Sequence, residues 1–118
     1  MFKDILKELK KVLTKINKKD LNTFVKEVKK AKRVYVLGAG RSGLIAKNLA
    51  MRLVRLRKKT FVIGETINPE IKANDLLVVI SGSGETGRVL SAVKICRVKG
   101  ARILGITAVL DSPLVKLS

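Results

Sequence analysis

The feature that most restricts the fold of this chain is a set of short, largely apolar runs: Val34-Tyr35-Val36-Leu37, Thr60-Phe61-Val62-Ile63, Leu76-Leu77-Val78-Val79-Ile80 and Arg102-Ile103-Leu104-Gly105-Ile106. A strand wetted on one face alternates apolar with polar residues, so a run that is apolar at nearly every position needs cover on both faces. Between these runs the spacing is helical. Leu44, Ile45, Leu49, Leu53 and Leu56 predict a helix over 42–57, and Val89, Leu90, Val93 and Cys96 another over 85–98. Strands alternating with helices in short units predict a parallel sheet with crossover helices. The expected class is therefore α/β, a three-layer α-β-α sandwich on a parallel sheet with four strands visible.

Two helices precede this core. Phe2, Ile5, Leu6, Leu9, Val12, Leu13 and Ile16 predict an amphipathic helix over 2–16. Asn17 to Lys19 break it, and Asp20 is placed to cap a second helix with the stripe Leu21, Phe24, Val25, Val28 and Ala31. The chain reads as one domain, 1–118, with helices in 1–31 and the α/β core in 32–118. Its last segment, Asp111-Ser112-Pro113-Leu114-Val115-Lys116-Leu117-Ser118, has a cap residue followed by a first-turn proline and is expected to begin a further helix. Four strands with that helix unfinished leave a sheet edge to be covered, by a fifth strand from a neighbouring chain or by one missing from this chain.

Composition removes several classes of function. One cysteine, Cys96, and no histidine exclude an internal disulfide, a zinc site of the usual ligands and Ser-His-Asp chemistry. Cys96 belongs to an apolar stripe and is expected in the core. No apolar run approaches the ~18 to 20 residues of a membrane span, and the N-terminus interleaves charge with apolar residues, so a cytoplasmic chain without membrane partners is expected. The 26 basic and 9 acidic residues give a net charge of +17, which points to an anionic partner. Only four aromatics, Phe2, Phe24, Tyr35 and Phe61, accompany that charge, too few to interleave a stacking platform with the basic residues. Nucleic acid therefore ranks below a phosphorylated metabolite. A solvated lysine-rich surface, common in proteins of hyperthermophiles, is the plain alternative, and the run Arg52, Arg55, Arg57, Lys58 and Lys59 fits such a solvated helix end.

Two loops carry chemistry. Gly38-Ala39-Gly40-Arg41-Ser42-Gly43 joins the first strand to a helix, whose free N–H groups and positive dipole end favour an anion. Its G-x-G-x-x-G spacing also fits a dinucleotide fingerprint, with Glu65 near the position of a ribose-binding acid. Ser81-Gly82-Ser83-Gly84-Glu85-Thr86-Gly87 follows the third strand and sets hydroxyls and glycine N–H groups at another helix start. That is phosphate-holding chemistry without the Lys-Ser or Lys-Thr pair of a Walker loop. In a parallel sheet both loops lie at the carboxyl ends of strands, where ligands of open α/β sheets bind. Arg41 and Arg88 border them.

The stretches VYVLGAGRSGLIAKNLAMRL, FVIGET, DLLVVISGSGET and GITAVLDSPLVKLS resemble the sugar isomerase (SIS) domain, most closely its 6-phospho-3-hexuloisomerase branch, over residues 32–118. That resemblance implies that Ser81, Gly82, Ser83, Gly84 and Thr86 hold the phosphate of a fructose 6-phosphate class ligand, and that Gly40, Arg41 and Ser42 line the sugar side. It also implies a fifth strand, a homo-oligomer, no cofactor and interconversion of 3-hexulose 6-phosphate with fructose 6-phosphate through an enediolate. Family members supply their acid or base from a C-terminal third that this sequence lacks. Glu65 is the candidate base among the rim carboxylates, with Glu85 placed to favour its helix start. The alternatives are a sugar-phosphate-binding regulatory domain without turnover and a dinucleotide-binding domain.

Overall fold

The computed structural model describes residues 18–38, 41–64, 69–81, 87–107 and 114–117; the first expected helix, 2–16, lies outside them. The elements in chain order are α1 (Lys18–Lys30), β1 (Val34–Gly38), α2 (Arg41–Arg55), β2 (Thr60–Val62), β3 (Leu76–Ser81), α3 (Gly87–Val98), β4 (Arg102–Thr107) and β5 (Leu114–Leu117). They form one sheet of order β2-β1-β3-β4-β5. β1 to β4 are parallel, and β5 pairs antiparallel with β4.

The period of two along each strand sorts its side chains into two cores. Val34, Val36, Leu76, Val78, Ile80, Leu104 and Ile106 face α1 and α2, while Tyr35, Leu37, Leu77, Val79 and Ile103 join Val89 and Cys96 of α3 on the other side. The two crossover helices fall on opposite faces because the chain steps one way from β1 to β2 and the other way from β3 to β4, and right-handed crossovers then require opposite sides. All five residues of the expected α1 stripe are buried, with Phe24 at 0% exposure. The fully buried Phe24 ring alone contributes about 1.5–3 kcal/mol. Among the described residues the β2 to β3 connection carries no helix. It returns along the α3 face with Ile71 buried in that core, held by hydrogen bonds from Tyr35 Oη to the Pro69 carbonyl (2.7 Å) and from Arg33 Nη2 to the Glu70 carbonyl (3.0 Å).

Several expectations need correction. The terminal segment forms β5 over Leu114–Leu117, where a helix start was expected, so the chain supplies a fifth strand itself. The open edge of β4 offers this segment unpaired backbone groups to bond. Asp20 sits inside the first turn of α1, where its charge favours the dipole, and α1 starts at Lys18. Leu44 and Leu90, placed by spacing on buried stripes, are 70% and 53% exposed, and Ala46 and Ala50 occupy the α2 contact with the sheet. α2 ends two residues early. Arg57 takes a left-handed conformation (φ 65°) and the Lys58 N–H reaches back to the Leu53 carbonyl, the cap that Gly100 (φ 84°) makes after α3 with the Ala101 N–H on the Cys96 carbonyl.

Three packing details give direct tests. Burial raises the Tyr35 hydroxyl above its ordinary value near 10, opposed by the nearby Arg33. A raised value means that the stability it contributes is whole below pH ~10 and is lost as pH climbs through the folded value. Tyr35 is the single tyrosine and there is no tryptophan, so its phenolate absorbance should appear well above pH ~10 in the folded protein and shift down to about that pH in denaturant. Equal midpoints would contradict the burial. Asp75, 1% exposed, accepts from Arg33 Nε and Nη2 at 3.1 and 2.7 Å and from the Lys72 N–H at 2.8 Å. Replacing it by alanine removes the acceptor shared by the Arg33 guanidinium and the Lys72 N–H, and chemical denaturation should show a lower midpoint. A Cβ on Gly43, in the first turn of α2, would stand 3.2 Å from the Gly38 carbonyl oxygen and 3.6 Å from its carbon. Overpacking against backbone costs about 1–3 kcal/mol, more than alanine gains at a helix start, so Gly43→Ala should lower the melting temperature.

Candidate functional site

Strand order decides where the two glycine-serine loops meet. β1 has β2 on one side and β3 on the other, so the chain reverses direction across the sheet between β1 and β3, and the connections from those two strands leave to opposite faces. A crevice opens at the carboxyl ends of the strands at such a switch point. Gly38, the last residue of β1, lies level with Ile80, one residue short of the end of β3. α2 starts at Arg41 and α3 at Gly87, so two helix N-termini open on this rim from either side of the sheet. Each adds about half a positive charge and unpaired N–H groups.

The close approach of Gly43 to Gly38 explains the third glycine of the G-x-G-x-x-G spacing as a packing requirement, since it lets the start of α2 lie against the end of β1. Of the expected site residues, Arg41 and Ser42 form the first two positions of α2 and Ser81 ends β3. Gly40 immediately precedes α2, and Gly82, Ser83, Gly84 and Thr86 lie between β3 and α3; these five are outside the described residues, as is Glu65. Gly64, just before Glu65, turns the chain out of β2 at φ 107°, a conformation side chains rarely adopt. The Ile63 N–H still bonds the Val36 carbonyl at 2.9 Å, so the ladder holds up to that turn.

The structure adds one position that the sequence reading missed. Thr107 ends β4 level with Ser81, placing a second hydroxyl residue on the rim beside the first. The apolar run in the sequence ends at Ile106, but pairing with β3 carries β4 one residue further, level with Ser81. Cys96 is buried, and burial holds its thiol above the ordinary range, as befits a core residue.

The comparisons with known proteins agree with this geometry. The family model described as SIS domain matches residues 27–118. A protein of Archaeoglobus fulgidus without assigned function is 38% identical over 118 residues, covering 99% of this chain and 64% of that protein. The 3-hexulose-6-phosphate isomerase of Mycobacterium gastri is 38% identical over 111 residues, covering 94% of this chain and 56% of the enzyme. The crystal structure of a Methanococcus jannaschii protein, whose inferred molecular function is 3-hexulose-6-phosphate isomerase, superposes with a TM-score of 0.72 at 36% identity, over 90% of this chain and 60% of that one. The chain thus spans a little over half the length of these relatives, and the dinucleotide-binding alternative finds no support among them. With its switch-point crevice, its two helix starts on one rim and a family match over most of its length, this chain belongs to the SIS domain family.

Proposed function

We propose that the crevice between β1 and β3 binds a sugar phosphate of the fructose 6-phosphate class, and that the chain takes part in interconverting 3-hexulose 6-phosphate and fructose 6-phosphate. The observation that supports this is the register of Gly38 with Ile80, which sets the end of β1 level with the end of β3, the two strand ends from which the glycine-serine sequences continue. In this reading Ser81, Ser83 and Thr86, with the N–H groups of Gly82 and Gly84, hold the phosphate at the start of α3. Gly40, Arg41 and Ser42 line the sugar at the start of α2.

The reaction moves a proton between adjacent sugar carbons. A base removes it beside the carbonyl, the enediolate carries the negative charge on oxygen, and return of the proton to the neighbouring carbon shifts the carbonyl. Helix-start N–H groups on the rim would stabilise that oxygen charge. Glu65, next in sequence to Gly64, is the proposed base. The same reading expects a homo-oligomer working in the cytoplasm. Leu90 and Ile95, 53% and 58% exposed on α3, support the oligomer. Among the described residues no helix is long and apolar enough to cross a membrane.

Calorimetric titration with fructose 6-phosphate checks the binding site. Ser83→Ala and Thr86→Ala should each weaken affinity about tenfold, the worth of a charge-assisted hydrogen bond; unchanged affinity in both variants would sink the proposal. Glu65→Gln should keep the affinity and lower isomerisation ~100-fold or more. Binding without turnover in the unaltered chain would instead favour the regulatory reading.

A further inference from the structure

The charge of this chain is distributed unevenly over its fold. Residues 29–33, 55–59, 70–75 and 97–102 lead into β1, β2, β3 and β4. Because Val34 is level with Thr60 and Leu76, and Leu76 with Arg102, all four segments meet at the end of the sheet where the strands begin. These 22 residues hold 12 of the 26 lysines and arginines and only two carboxylates, Glu70 and Asp75.

Local pairing accounts for a minority of that charge. Arg33 pairs with Asp75, Lys99 with Glu70, and Arg102 with Glu27, a buried residue near the end of α1. The Lys58 ammonium donates to the Lys29 and Ala31 carbonyls, closing the end of α1. Partial burial lowers the Lys58 pKa. Three helices end at this pole, but each contributes only about half a negative charge, so pairs and helix ends together leave a surplus of about seven positive charges. Lys30 at the end of α1, Lys32 after it, Arg57 and Lys59 after α2, and Arg97 at the end of α3 are exposed. Attraction of the sugar phosphate does not explain them. β3 separates this pole from the rim by six residues, about 17 Å.

We propose that this basic pole is a binding surface for the phosphate backbone of duplex nucleic acid. A protein partner would require a centre of aromatic or aliphatic anchors, and an interfacial membrane site would require bulky apolar side chains to insert. Among the described residues the only large apolar side chains more than half exposed at this pole are Val54 and Val98. Single strands require stacking aromatics, and the two aromatic rings near it, Tyr35 and Phe61, are engaged with each other at 5.2 Å. Duplex backbone is the partner for which clustered charge alone suffices, and such binding reads no sequence.

The test measures fluorescence anisotropy of a mixed-sequence duplex of ~30 base pairs with the full chain, across roughly 50 to 300 mM salt. Lys59→Glu with Arg97→Glu alters the pole, and Lys47→Glu with Lys94→Glu alters exposed positions within α2 and α3. Each pair lowers the formal charge by four, from +17 to +13. Far-ultraviolet circular dichroism first shows both folded. The pole pair should weaken binding at least tenfold and flatten the slope of log affinity against log salt by about two, whereas the matched pair should change affinity by less than about threefold. Saturating fructose 6-phosphate should leave duplex binding unchanged. Equal losses from the two pairs, no binding by the unaltered chain at the lowest salt, release by the sugar phosphate, or tighter binding to phosphatidylserine vesicles than to the duplex would each overturn the proposal.

Discussion

The pairing of β1 with β3 is the constraint from which the remaining structure follows. These two strands run side by side although a whole strand, β2, intervenes between them in the chain, and both are apolar at nearly every position. A slip of one residue would exchange the two cores, putting Tyr35 and Leu37 where α1 and α2 pack and Val34 and Val36 against α3. Polar chemistry at the lower end pins the register. Arg33 and Asp75 are the residues immediately before Val34 and Leu76, so correct pairing sets the guanidinium beside the carboxylate, and the Leu76 N–H bonds the Arg33 carbonyl at 2.9 Å.

The same pairing separates two kinds of chemistry. At the carboxyl ends of the strands the helices begin, so backbone N–H groups and glycine-rich turns collect there and favour a small anion. At the amino ends the helices stop and their carbonyls favour cations, so lysines and arginines gather at the opposite pole. A parallel sheet with crossover helices is polar in this sense whatever its sequence. This chain amplifies one pole with far more positive charge than the helix ends can use.

Much of this was legible in the order of residues. Unbroken apolar runs declared a sheet covered on both faces, and the α1 stripe from Leu21 to Ala31 is buried because five apolar positions on one helical face have one way to avoid water. The failures share a cause. Leu44 and Leu90 fit helical spacing, yet they face outward because alanines pack closer to a sheet and because spacing defines a stripe without defining its width. Arg57 as a left-handed cap carries no glycine to announce it, and β5 depends on a vacant edge of β4 that no local pattern records.

By itself, the sequence determined the class of fold, the two glycine-serine segments at strand ends and the absence of histidine or paired cysteine chemistry, because periodicity and side-chain type are local properties. Only the tertiary structure decided that β1 lies beside β3, that Thr107 stands level with Ser81, that Arg33 meets Asp75, and that basic residues from four separate segments share one pole. Each of those is a distance between residues remote in the chain. Such distances are set by which faces must be buried together and by the handedness of the crossovers that bury them.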